Sequence, residues 1–209
     1  MTVEVTRQSP LAEQATLLAS LGPGLVVEEL PFLTQLTVRV REGHEAVGAA
    51  LGVPLPARSC TFASGAGPFG AVDVLWLGPD EWLVLADPDL AESAERALRE
   101  AIVVGAVTDT SAQRTTVRLA GPAVRDVLAH GCAIDLDPAV SPPGTCVQTL
   151  LARTGIVLLV HQHDEFIVLV RQSFAPYFAA WLADAAAEYT ETDYFQGDYT
   201  QAEYPEEEP

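Results

Sequence analysis

The chain has 209 residues, 49% of them hydrophobic, and its 29 acidic side chains against 11 basic ones give a formal net charge of −18. Every basic residue is Arg, so a Lys Schiff base and a P-loop lysine are excluded, and such acidity opposes binding to a phosphate backbone. No apolar run reaches about 18 residues, and residues 1–20 lack a basic n-region and a continuous apolar h-region, so neither a membrane span nor a signal peptide is expected.

In chain order, Ser9 and Pro10 open a helix over residues 11–21, Ser9 as N-cap and Pro10 at the first helical position, and Gly22-Pro23-Gly24 stops it. A short strand is expected at 25–30 and a clearer one at 32–41, where Leu36, Val38 and Val40 alternate with Thr37, Arg39 and Arg41. A helix over 42–51 ends at Gly52 and Pro54. Residues 56–70 are rich in Gly, Ser and Pro and read as a loop with one short strand at 60–63. Two β-rich segments, 71–77 and 81–86, flank Gly78-Pro79-Asp80 as a hairpin whose turn is bracketed by Trp76 and Trp82, expected to be exposed. A helix over 88–100 is predicted with Asp87 as N-cap and Pro88 at the first helical position, then a strand at 102–108.

The second half repeats this plan. A strand at 114–120 and a helix at 123–130 are separated by Gly121-Pro122, with Val124, Val127 and Leu128 on one helix face and Gly131 as a left-handed C-cap. A Pro-rich loop covers 135–144, a strand 145–153, a turn Thr154-Gly155, and a hairpin 156–161 and 165–171 about His163-Asp164. A last helix spans 174–187, with Ser173 as N-cap and an apolar face of Phe174, Phe178, Trp181 and Leu182. Residues 37–52 and 116–131 are each strand then helix, and 74–98 and 156–182 are each hairpin then helix. The predicted fold is therefore α+β, built from two intertwined β-α-β-β-α halves at about 25–108 and 109–187 whose sheets share a core. Residues 188–209 carry eight acids and no basic residue. In them Tyr189, Tyr194, Tyr199 and Tyr204 recur every five residues, a period that matches neither helix nor strand. A disordered acidic tail is expected, solvated or docking its tyrosines on a basic groove of a partner.

Candidate chemistry is sparse. His161 and His163 would share a strand face as an HxH pair needs, but they fall on a turn with no third ligand at a suitable spacing, which favours solvated turn residues. Asp109, Ser111 and Arg114 cluster at a strand start and could bind a carboxylate, line a pocket, cap a turn or face a neighbouring chain. Asp80-Glu81 is explained by turn chemistry. Cys60, Cys132 and Cys146 are odd in number and widely spaced, forming neither a disulfide framework nor a CxxC pair, which fits a reducing cytoplasm. No GxSxG, HExxH, P-loop or GxGxxG occurs, so no catalytic, cofactor-binding or metal-binding residue is assigned. The residues proposed to face a partner are Trp76, Trp82, Asp109, Arg114, Tyr189, Tyr194, Tyr199 and Tyr204.

Four stretches carry a family resemblance: LGPDEWLV (77–84), DTSAQRTTVRLAGPAVRDVLAHGCAIDLDP (109–138), SPPGTCVQTLLAR (141–153) and FIVLVRQSFAPYFAAWL (166–182), with Ser9-Pro10-Leu11 near the N-terminus. In these the chain resembles the gamma subunit of heterotetrameric sarcosine oxidase. The resemblance implies the fold of the aminomethyltransferase folate-binding domain and a non-catalytic cytoplasmic subunit. It implies alpha, beta and delta subunits as partners, with FAD, FMN, NAD and zinc on those partners and none on this chain. The implied complex oxidises sarcosine with O2 to glycine and H2O2, and yields 5,10-methylenetetrahydrofolate when tetrahydrofolate is present. The acidic tyrosine repeat has no counterpart in the family pattern. The alternative is a free-standing folate-binding protein of the same fold, which would need a carboxylate for the pterin ring and a pocket between the halves.

Overall fold

The computed structural model describes residues 7–189 of the 209. After a 3-10 turn at Ala12–Gln14 come α1 (Ala15–Ala19), β1 (Val26–Leu30), β2 (Thr34–Glu42), α2 (His44–Leu51), β3 (Phe62–Gly67), β4 (Gly70–Gly78), β5 (Glu81–Ala86), α3 (Ala91–Ala101) and β6 (Val104–Asp109). The second half adds β7 (Arg114–Ala120), α4 (Val124–Ala129), β8 (Cys146–Leu151), β9 (Thr154–Gln162), β10 (Glu165–Arg171), α5 (Ala175–Ala185) and a closing 3-10 turn at Ala187–Tyr189.

The strands form two antiparallel sheets, ordered β3-β4-β5-β2-β6 and β1-β7-β10-β9-β8. Alternation along each strand divides its side chains between two layers. On β5, Trp82, Val84 and Ala86 face the helices α2 and α3, while Leu83 and Leu85 point between the sheets. On β10, Phe166, Val168 and Val170 face α4 and α5, while Ile167 and Leu169 meet Leu83 and Leu85 in the inter-sheet layer. This gives a helix–sheet–sheet–helix stack, and the shared core expected from the sequence is the inter-sheet layer.

The halves are α+β and intertwined as expected, with one strand more than the predicted β-α-β-β-α unit. The intertwining is an exchange of edge strands. β1 precedes β2 in the chain but pairs with β7, Val26 opposite Ala120 and Leu30 opposite Thr116. β6 precedes β7 but pairs with β2, Val107 opposite Val38. With the repeats drawn as β1 to α3 and β6 to α5, each thus supplies the outer strand of the other's sheet.

Several local expectations are corrected. The Gly-rich segment holds β3 rather than mostly loop, because Gly65 and Gly67 let the strand pass under the end of α2. A Cβ on Gly65 would come within 2.8 Å of Val53 Cγ2. The first helix is shorter than 11–21, although Ser9 Oγ accepts the Leu11 N–H at 2.9 Å as a cap should. α3 starts later than Pro88, since Asp89 takes a left-handed φ of 64° and Leu90 N–H is held by Thr34 Oγ1 at 3.1 Å. The β8–β9 turn is Ala152-Arg153, not Thr154-Gly155, with Ala152 at φ 51°. Gly131 is not a left-handed cap. Its missing side chain makes room for the Trp181 ring, which a Cβ would approach to 2.6 Å. On the last helix, Ala175 and Ala179 join Phe178 and Leu182 in the core, and Phe174 is 42% exposed ahead of the first turn of α5. The helix N-cap is Phe174, not Ser173.

Candidate functional site

Trp76 and Trp82 stand opposite each other on β4 and β5, next to the turn that joins the strands. Trp82 is not exposed as expected. It is 3% accessible, its indole N–H donates to the Pro56 carbonyl at 2.9 Å, and the His44 ring meets it edge-on at 5.3 Å. An indole so placed buries a large apolar face and still satisfies its one donor. Trp76 is half-buried and lines a cleft of about 540 Å³ with His44, Leu55, Pro56 and Pro79.

Asp109, Ser111 and Arg114 lie where the chain crosses from one sheet to the other. Gln35, buried on β2, clasps this crossing. Its backbone N–H donates to Ser111 Oγ at 2.9 Å, its Nε2 to the Arg114 carbonyl at 3.0 Å, and its own carbonyl accepts the Thr110 N–H at 2.8 Å. Asp109 takes the Ser111 N–H at 2.9 Å and the Ser111 hydroxyl at 2.5 Å, so this carboxylate caps the turn. Arg114 alone of the three turns its side chain to a cleft. That cleft also contains Arg171, opposite Arg114 in the β7–β10 register. Sequence reading did not single out Arg171. The signal available was a basic residue closing the second hairpin, and only the pairing register shows what it faces.

Both histidines of the His-rich turn stand beside carboxylates. His163 Nδ1 lies 2.7 Å from Asp164 Oδ1, and His161 Nδ1 lies 3.1 Å from Glu165 Oε1. Arg118 Nη2 donates to Glu165 Oε2 at 2.7 Å, and this bond chiefly holds the Glu165 carboxyl below its ordinary value and Arg118 above its own. Among the described residues no three His, Cys, Asp or Glu side chains gather as metal ligands. Cys60 is exposed, Cys132 and Cys146 are buried, and burial pushes the Cys146 thiol up to about 12, with a smaller contribution from Cys60. A thiol so raised is no nucleophile near neutrality.

Tyr189 turns inward. It is 6% accessible, its ring packs on His130 at 6.0 Å, and its hydroxyl lies 3.1 Å from His130 Nε2. Tyr189 therefore serves the helical side of the core. Tyr194, Tyr199 and Tyr204 lie outside the described residues. No helix among the described residues is long and apolar enough to cross a membrane.

The fold is shared with known proteins. A chain of the heterotetrameric sarcosine oxidase from Corynebacterium sp. U-96, solved in complex with pyrrole 2-carboxylate, superposes with a TM-score of 0.79 at 33% identity, covering 88% of this chain and 97% of that one. The glycine cleavage system aminomethyltransferase T from Bartonella henselae superposes at 0.58 over 79% of this chain and 48% of its own, and at 14% identity that likeness concerns fold alone. Sarcosine oxidase subunit gamma of Corynebacterium sp. (strain U-96) is 34% identical over 193 residues, 88% of this chain and 92% of that one. Its namesake in Arthrobacter sp. is 34% identical over 188 residues, 88% and 91% of the two chains. The model of the sarcosine oxidase gamma subunit family matches residues 42–188, from the end of β2 to the last helical turn, and the chain belongs to that family.

Proposed function

We propose that this chain is the gamma subunit of a heterotetrameric sarcosine oxidase. The observation that carries the reading is the superposition, over almost the whole of its length, of a chain from that heterotetramer. In this reading the subunit is non-catalytic and cytoplasmic. The complex oxidises sarcosine with O2 to glycine and H2O2, and forms 5,10-methylenetetrahydrofolate when tetrahydrofolate is present. The partners are alpha, beta and delta subunits, which carry FAD, FMN, NAD and zinc. The geometry supports a scaffold role: at the sheet crossing Asp109 and Ser111 are spent on each other and on Gln35, and the histidines of the second hairpin turn stand beside its carboxylates.

The surface offered to partners includes Trp76, Asp109 and Arg114, with residues 190–209 supplying further tyrosines. Trp82 supports Trp76 from beneath, while Tyr189 packs on His130 in the core of the second half. An obligate subunit should bury roughly 1,000 Å² or more against its neighbours.

The test is co-expression of the tagged chain with its genomic neighbours. Co-purification of larger chains with a flavin absorption spectrum and sarcosine-dependent peroxide production is expected. A colourless chain eluting alone, with the neighbours soluble, would overturn the reading. Tetrahydrofolate titrated into the purified chain separates the free-standing folate-binding alternative, which requires tight binding without partners.

A further inference from the structure

The apolar layer between the sheets gives out at one end. Ile167 and Leu169 of β10 point into that layer, so Arg171, two residues on, lies on the same face. On β7, Val117 and Leu119 face the helices, so Arg114 also lies on the inter-sheet face. The antiparallel register sets Arg171 directly opposite Arg114. Like charges so placed repel, and nothing in the strands requires them.

A chain with 29 acids has carboxylates to spare. Arg7, Arg39, Arg41, Arg99, Arg118 and Arg125 each take one. Arg114 and Arg171 form no ion pair among the described residues. Arg58, Arg96 and Arg153 are also without one, but they stand exposed in water. Arg114 is half-buried, and its Nη1 is shut off from solvent with no hydrogen-bond partner. Burial first, and the charge of Arg171 second, lower its affinity for its proton; Glu81 acts weakly in the opposite sense and is itself engaged by Arg39. An unsatisfied buried donor on a charged group is costly, so a donor left this way calls for an acceptor.

The space for one is present. A cleft of about 520 Å³ opens over the pair, lined also by Gln148, Leu150, Gly155 and Val157. Gly155 leaves its floor open, since a Cβ there would meet nothing within 4 Å. Gln148 donates to the Leu77 carbonyl at 3.0 Å and so pins the edge strand β8 to the other sheet. Two guanidinium forks over an open floor match a planar carboxylate, which accepts paired N–H bonds from each.

We propose that the Arg114–Arg171 cleft is a carboxylate-binding site. The carboxylate comes either from a free small acid or from an Asp or Glu side chain of a partner subunit. The second source rests on the gamma-subunit reading; the first does not.

The experiment has two arms. In the first, the full chain is titrated with glutarate and followed by NMR at the arginine Nε–Hε resonances. A saturable shift is expected, weakened about 30-fold or more by Arg171→Gln and lost in Gly155→Leu, whose Cβ meets nothing within 4 Å and whose side chain would occupy the floor. Arg171 is exposed, so its variant keeps the fold, as circular dichroism will check. In the second arm, wild-type and variant chains are mixed with the other subunits and their affinities compared. Assembly weakened about 30-fold or more by Arg171→Gln, and inhibited by glutarate for the wild type, assigns the site to a partner's carboxylate whether or not the lone chain holds glutarate. Unchanged assembly with lost glutarate binding assigns it to a free small acid. If neither glutarate binding nor assembly responds to the two variants, the site does not exist. Failure of the wild-type chain to assemble at all would sink the gamma-subunit reading separately, and the glutarate arm then decides the site alone.

Discussion

Gly67 of β3 runs so close to Leu51 at the end of α2 that a Cβ built on it would stand 2.0 Å from the Leu51 carbonyl oxygen. Backbone faces backbone there, and no side chain can swing away to relieve the contact. Gly67→Ala should therefore lower stability by about 3 kcal/mol, the upper end of the overpacking range. Urea unfolding followed by circular dichroism measures it, as a lower midpoint with unchanged slope. A midpoint equal to wild type would mean that β3 and α2 do not approach as described.

Trp82→Phe keeps most of the apolar bulk and deletes the indole donor. The Pro56 carbonyl then loses the hydrogen bond it receives at 2.9 Å. A loss of about 1–2 kcal/mol is expected from the deleted bond and the smaller ring. Trp76→Phe, with its ring half-buried, should cost less. Equal losses would contradict the different burial of the two indoles.

The Glu165–Arg118 pair makes stability depend on pH. The folded carboxyl sits below its ordinary value of 4.5, so its contribution is fully present above that value and is lost as pH falls through the lower, folded one. Both side chains are partly exposed, which limits the effect to about 1 kcal/mol. Glu165→Gln should be less stable than wild type at pH 7, and the gap in urea midpoints should narrow as the pH falls below 4.5. A gap that persists unchanged at acid pH would show that the pair's charge is not what stabilises.

Thiol titration distinguishes the three cysteines. Cys60 is exposed, while Cys132 and Cys146 are buried and Cys146 is raised to about 12. Native protein at pH 8 should release one equivalent of thionitrobenzoate from Ellman's reagent quickly, and Cys60→Ser should abolish that phase. The remaining two should react only as the chain unfolds. Three fast equivalents would place both other thiols nearer the surface than the structure has them.

Because the repeats β1 to α3 and β6 to α5 exchange their first strands, neither should fold alone. A fragment of residues 110–189 lacks β1, whose register runs from Val26 opposite Ala120 to Leu30 opposite Thr116. It also exposes the inter-sheet layer of Ile167 and Leu169. The expected product is aggregated or lacks dispersed amide resonances. A soluble fragment with native-like dispersion would show that the shared layer is not required.

The local hairpins and both strand–helix repeats were legible in the sequence, because alternation and turn residues act within a few positions. Trp76 opposite Trp82 follows from a hairpin at Gly78-Pro79-Asp80. The strand exchange was not legible, since nothing local in Val26–Leu30 distinguishes β7 from β2 as its partner. Gly131 was misread for a related reason: a glycine after a helix suggests a cap, and only the tertiary structure places Trp181 over it. At the crossing, Asp109, Ser111 and Arg114 were found as a cluster. Whether each caps or faces outward depended on Gln35, 76 residues from Ser111, and on Arg171 across the register.

The exchange of edge strands also sets an order in time. At roughly 5–20 residues per second, Ala120 leaves the ribosome about 5–20 s after Val26, its partner in the sheet. Throughout that interval β1 is a synthesised strand with no ladder to join, and the first sheet can close only when β6 emerges beside β2. All five strands of that sheet lie within residues 34–109, so it can form while the rest of the chain is still being made. What waits is β1 and the inter-sheet face of Leu83 and Leu85, both left open to neighbouring nascent chains until the second sheet arrives to cover them.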